Sequence, residues 1–199
     1  MPKLNYPDNS IYFLTGSTYL HYPYFKEAPQ KQLLLNQFQR ISQELGVKIS
    51  AFSIAINHYH LLIFLDEGKK ITKIKKYLHG AVGHFYREKW PLKTEQFWHG
   101  SQFYLVNKED VYWKILGYVI GNLLKHKEVG TFEELKNNPF SSYRHIAEKY
   151  DDEFAQNLVR EVINLEENED NLIDLKTLWK NKFFHTPAQS GVETTNNNL

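Results

Sequence analysis

The chain has no cysteine among its 199 residues. That excludes a disulfide framework and any thiolate metal site. Long apolar runs are missing too: none approaches the ~20 residues that span a bilayer. The opening Met1-Pro2-Lys3-Leu4-Asn5-Tyr6-Pro7 has no signal-peptide apolar region. A cytoplasmic location, with no membrane partner, is the expectation. Net charge is nearly absent as well, at +1, but that balance conceals a division along the chain.

Residues 1–130 hold 17 Lys and Arg against 10 Asp and Glu, a net +7, and seven of the nine histidines. Residues 131–199 hold 7 against 13, a net −6. A basic body with an acidic tail suits a polyanionic ligand on the body, although ordinary charge scatter also produces such a split. Hydrophobic content of 42% and aromatic content of 15% suffice for one packed domain with an appendage.

Hydrophobic periodicity gives the elements. Ile11-Tyr12-Phe13-Leu14-Thr15 predicts a strand ended by Gly16. A helix opens at Pro29, carries Leu34, Phe38, Ile41 and Leu45 on one face, and ends at Gly46. Val47–Ala55 and His58–Leu65 predict two strands joined as a hairpin. A second helix runs over about 71–89 with a stripe of Ile74, Leu78, Val82 and Phe85. A loop holding Phe97-Trp98-His99-Gly100 precedes a short strand, Phe103–Val106. Asp110 is expected to cap a third helix from Val111 to about His126.

The first six elements imply an α+β, ferredoxin-like (split βαβ) antiparallel sheet with helices on one face, plus a C-terminal helical extension. The domain is expected over 1–130. Residues 131–150 read as irregular, with helices following at Glu153–Leu165 and Leu172–Trp179. Together 131–182 form an expected C-terminal segment packing on the domain, and 183–199 an Asn/Thr-rich disordered tail.

The most informative stretch is Ile56-Asn57-His58-Tyr59-His60-Leu61-Leu62-Ile63-Phe64. In a strand, residues i and i+2 face one side, so His58 and His60 present paired imidazoles and Tyr59 points away. Such a pair is a usable metal-ligand set, or else a polar pair on a half-exposed strand. On the third helix Tyr118 and Asn122 share a face, roughly opposite the stripe of Leu116, Val119, Ile120 and Leu123. A phenol is a possible nucleophile, and an amide oxygen is a hard ligand for a divalent cation. Tyr118 could equally pack at a secondary interface. Lys125, one turn further along, could meet a phosphate.

In order and spacing these segments resemble the single-tyrosine, His-hydrophobic-His transposases of small insertion sequences, and most closely the REP-associated tyrosine transposases. Ile11–Thr15 is similar to their opening strand and Asn57-His58-Tyr59-His60-Leu61-Leu62 to their metal motif. Phe97-Trp98 and Phe103 match an aromatic segment, Tyr118-Val119-Ile120-Gly121-Asn122 the nucleophile helix, and Ser141-Ser142-Tyr143 a tail motif. The resemblance covers about residues 10–146.

It implies that His58, His60 and Asn122 bind one divalent metal, Mg or Mn. It implies that Tyr118 attacks a DNA phosphate and holds the cut strand by a 5′-phosphotyrosine bond. The partner would be single-stranded or hairpin DNA, and the protein a monomer or a homodimer. Departures fall elsewhere: Leu123 stands where the family often has proline, and Gly16-Ser17 and Ser101-Gln102 where it often has arginine. The metal and nucleophile set is complete, while the basic DNA-contacting set is thinned.

Several further residues are candidates for DNA contact. Lys69, Lys70, Lys73, Lys75 and Lys76 form either a phosphate track or a solvated helix face; Lys73 and Lys76 are the candidates taken from it. Trp98 and Tyr104 could stack unpaired bases or belong to the core, and Phe97 reads as core. His79 and His84 read as solvated or close to DNA. A non-catalytic nucleic-acid-binding module of the same fold, or a domesticated relative, are the alternative readings.

Overall fold

The structure is a computed structural model and describes residues 6–165. The helix expected at Leu172–Trp179 and the tail expected from 183 lie outside the described residues. Four antiparallel strands form one sheet, β1 (Ser10–Thr18), β2 (Lys48–Ile54), β3 (His58–Leu65) and β4 (Trp98–Val106), in the order β2-β3-β1-β4. That is the split βαβ order.

Helix α1 (Ala28–Leu45) connects β1 to β2. A capping box between Glu27 and Gln30 opens it, with proline in its first turn, and Gly46 closes it at φ 65°. The crossover from β3 to β4 is α2 (Ile71–Lys75), a π-helical turn (Lys76–Ala81) and α3 (Val82–Lys89). The single helix expected over 71–89 is thus broken at its centre by a wider turn, which carries His79 and Gly80.

Alternation along β3 divides its side chains between two environments. Tyr59 meets the crossover helices: its ring packs on Phe38 of α1 at 5.8 Å, and its hydroxyl meets His79 Nε2 at 2.9 Å. His58 and His60 face the other way, toward α4 (Glu109–Lys125). The crossover helices therefore share one face, and α4 covers the opposite one.

Behind α4 lies α7 (Asp152–Val162). Gly117 and Gly121 permit that approach: a Cβ on either would collide with the Leu158 carbonyl or the Val159 side chain. Being packed on both sides, α4 is buried almost all round, so Tyr118 and Asn122 lie within a second core layer rather than outside the main one.

Local differences from the sequence expectations have plain causes. β4 begins at Trp98, because the aromatic segment pairs with β1 through an irregularity at Ser17/Thr18. Asp110 lies inside the first turn of α4, where its charge suits the helix dipole, and the cap position is Lys108. Residues 131–150 contain two short helices, α5 (Phe132–Asn137) and α6 (Tyr143–Lys149). Between them, Ser142 N–H donates to Phe52 O (3.0 Å) and Ile54 N–H to Phe140 O (2.9 Å), which partly closes the outer edge of β2. Ser141 Oγ donates to Ile120 O (2.9 Å). The Ser141-Ser142 pair thus ties β2 to α4. Among the described residues no helix is long and apolar enough to cross a membrane.

Candidate active site

The space between β3 and α4 brings His58, His60, Tyr118 and Asn122 together. Asn122 Oδ1 lies 3.0 Å from His58 Nε2, and the Tyr118 hydroxyl 3.2 Å from His60 Nε2. The two imidazole centroids are 4.9 Å apart. All four side chains are buried, none more than 2% exposed. Phe13 stacks on His60 at 5.5 Å and meets the Tyr118 ring edge-on, fixing both rings from β1.

Burial sets the protonation of the histidines. Desolvation, the largest cause, pulls His58 down to about 3, helped by neighbouring His126 and opposed by its hydrogen bond to Asn122. His60 is held well below the usual imidazole range, again by burial first and by His58 second. Both rings are neutral at pH 7 and keep a lone pair on one nitrogen.

The contacts of His58 are one proton short. His58 Nδ1 meets Asn57 Oδ1 at 2.7 Å while Nε2 meets Asn122 Oδ1. A neutral imidazole has one N–H to offer these two carbonyl oxygens. His60 Nδ1, Asn122 Nδ2 and the nearby Ser53 Oγ are buried without hydrogen-bond partners. A cation between His58 Nε2 and Asn122 Oδ1 would satisfy both. Among the described residues no three His, Asp or Glu side chains make a metal site, so a cation here depends on the Asn122 amide.

His126 was not singled out by the sequence reading. Its ring lies 4.7 Å from that of His58. The signal was available: His126 follows Asn122 by four residues, one turn further on the same helical face.

The expected DNA-contacting residues fare differently. Trp98 is buried against Phe25, Phe97, Tyr59 and His79, and its indole N–H donates to His79 O at 3.1 Å. It has no open face for a base. Lys125 is held by the turn just beyond α7, donating to the carbonyls of Ile163 (2.9 Å) and Leu165, and is a structural tie rather than a phosphate ligand. Lys73 and Lys76 are exposed, but they belong to the crossover helices on the far face of the sheet from Tyr118. His79 is turned inward: it receives the Tyr59 hydroxyl and packs, tilted, on Trp98. A cavity of about 590 Å³ between α1, β2 and α6 includes none of the four clustered residues.

Comparison with known proteins bears on the fold and the family. A solved structure of a REP-associated tyrosine transposase bound to a REP hairpin matches over 73% of this chain and 83% of its own, at TM-score 0.55 and 18% identity, a likeness of fold. A Deinococcus radiodurans crystal structure described as a transposase matches 60% of this chain and 95% of its own, at 20% identity and TM-score 0.44. No curated protein matches. The family described as transposase, IS200-like, matches residues 12–119, from β1 through Tyr118. The chain therefore belongs to the IS200-like transposase family.

Proposed function

We propose that this protein cuts and rejoins single-stranded DNA through a covalent bond to Tyr118, with a divalent cation, Mg²⁺ or Mn²⁺, held by His58, His60 and Asn122. The observation carrying this reading is the convergence of the Tyr118 hydroxyl on His60 and of the Asn122 oxygen on His58. The hairpin-bound state of the REP-associated transposase supports DNA as the partner.

Each residue has a definable part. His58 and His60 stay neutral because they are buried, so each presents a lone pair rather than a charge. Asn57 accepts the Nδ1–H of His58 and leaves Nε2 free as ligand. Asn122 supplies a hard oxygen from the helix that also carries the nucleophile, so one rigid element sets both positions. When bound, the cation supplies charge that favours the phenolate and polarises the scissile phosphate.

Tyr118 Oη then attacks phosphorus. An Oη–P bond forms as the P–O3′ bond breaks; the phenol proton departs, and the leaving 3′-oxygen takes one up. The strand is held as a 5′-phosphotyrosine ester, and a later 3′-hydroxyl can reverse the exchange without ATP.

A sheet-face binding module would need exposed aromatics on its central strands. Here the crossover helices cover one face and α4 covers β2 and β3 on the other, and the β3 residues set against Tyr118 and Asn122 are histidines. The test is incubation with single-stranded DNA and Mg²⁺ or Mn²⁺, followed by denaturing electrophoresis. A protein–DNA adduct is expected, absent in Tyr118→Phe and in His58→Ala. Binding of DNA with no adduct under either metal would overturn strand transfer in favour of a binding module.

A further inference from the structure

The four clustered residues are closed off by α4, which lies chiefly over β2 and β3. The sheet continues beyond that cover. Across it, His60 is paired with Thr15 of β1, and Thr15 with Gln102 of β4; His58 is paired with Ser17, and Ser17 with Gly100. Directly paired residues on one face have Cβ atoms about 4.5–5.5 Å apart. The two histidine rows therefore run onward, as Thr15–Gln102 and Ser17–Gly100, toward the β4 edge.

A cavity of about 190 Å³ lies at this place, lined by Thr15, Ser17, His99, Gly100 and Gln102 together with the intervening backbone. It opens on the histidine face. On the other side of Gly16 the space is filled: a Cβ there would lie 2.6 Å from the Tyr59 ring and 2.9 Å from His79 Nε2. Thr15 and Ser17 form the buried inner wall, at 4% and 6% exposure, while His99 and Gly100 form an exposed rim. Gly100 leaves the mouth open, since a Cβ built on it meets nothing within 4 Å.

The lining has no lysine, arginine, aspartate or glutamate. Hydroxyls, one primary amide and the His99 imidazole at the rim supply no fixed charge for a phosphate but can donate to and accept from the edge of an unpaired base. We propose that this cleft seats one unpaired nucleobase of the substrate strand, next to the phosphate presented to Tyr118, and that Gln102, with Thr15 and Ser17, reads that base. This rests on the strand-transfer reading for what lies beside the cleft, but not for the existence of the cleft. It makes the β1–β4 flank, rather than the lysine-bearing crossover helices, the place where sequence is sensed.

The test uses the full chain and fluorescein-labelled single-stranded 12-mers of dA, dC, dT and mixed sequence, read by fluorescence anisotropy over a salt series. Gly100→Leu fills the mouth at an exposed strand position, and unchanged circular dichroism and melting temperature verify its fold. It is expected to weaken binding about tenfold, the scale of one good base contact. The slope of log K against log salt should not change, because no phosphate contact is lost. Gln102→Ala is expected to level the affinities among the four oligonucleotides.

Undiminished binding by folded Gly100→Leu, or a base preference that survives Gln102→Ala, would overturn the cleft assignment alone. Wild-type binding with no covalent adduct overturns strand transfer and leaves the cleft standing if the two variants behave as stated. Failure of the wild type to bind any of the oligonucleotides overturns both.

Discussion

His58 Nε2 and Asn122 Oδ1 stand 3.0 Å apart although 64 positions separate them in the chain. The contact joins a ring nitrogen whose sister nitrogen already faces Asn57 Oδ1 to an oxygen whose sister amide nitrogen has no partner. On the proposed reading, a cation between the two atoms would take both lone pairs and relieve the first mismatch, while the amide nitrogen would still lack an acceptor. Addition of Mn²⁺ is therefore expected to raise the melting temperature, since saturation at 100 times Kd stabilises by about 2.7 kcal/mol. Asn122→Ala should abolish the increment, and Asn122→Asp should keep or enlarge it. Equal Mn²⁺ shifts in wild type and Asn122→Ala, measured by differential scanning fluorimetry, would remove Asn122 from the ligand set.

Tyr118→Phe deletes one oxygen and leaves the ring against Phe13 and His60. Loss of the bond to His60 Nε2 is expected to change stability by about 0.5–1.5 kcal/mol. The adduct with single-stranded DNA should disappear completely. Tyr104, which stacks on Phe13 at 6.2 Å from β4, is the control. Adduct lost in Tyr104→Phe and kept in Tyr118→Phe would assign the nucleophile to the strand.

Much of this was legible because two periods carry it. The 2.0 period of β3 set His58 and His60 apart from Tyr59, and the 3.6 period of α4 set Tyr118 with Asn122. Neither period says what lies behind an element. The expectation that the Tyr118 face points away from the principal core of α4 missed the second layer, because nothing local marks the partner of the Gly117/Gly121 face as α7. The sequence leaves Trp98 open between base and core, and Lys125 open to a phosphate, for the same reason. An aromatic beside a loop and a lysine near a nucleophile look alike whether they meet DNA or the protein, and only tertiary contacts with His79 and with the turn beyond α7 decide. The extent of β4 was hidden by Gly100, which propensity disfavours in a strand.

An ion pair beside the histidines ties the end of α4 to α1. Lys31 of α1 meets Glu128, just beyond α4, at 2.6 Å, with both side chains largely buried. Glu128 also accepts the Ile56 N–H at 2.8 Å, at the turn leading into β3. Lys31→Met should cost about 3 kcal/mol, because it leaves a carboxylate desolvated and unpaired. Lys31→Met combined with Glu128→Gln should recover much of that loss, since the amide still accepts from Ile56. Urea unfolding of the two single variants and the pair measures the coupling, and strictly additive losses would mean that the pair does not act as a unit.

His79 gives the fold a sensitivity to acid that is separate from the clustered histidines. Tyr59 is buried and held protonated, so its hydroxyl donates to His79 Nε2, which must be the unprotonated nitrogen. Burial pulls His79 down from 6.5 to about 4, and the nearby Lys75 charge pulls in the same direction. A histidine depressed in the folded state takes up its proton more readily when unfolded. Its contribution is thus fully present above pH 6.5 and is lost as pH falls through about 4. The amount at stake between pH 7 and 4.5 is on the order of 2 kcal/mol. His79→Gln retains an acceptor for Tyr59 but does not titrate, so it should lose less stability over that interval than wild type, while the other buried histidines contribute equally to both. Urea unfolding at pH 7 and pH 4.5 reads the difference, and parallel losses in the two proteins would place the acid sensitivity elsewhere.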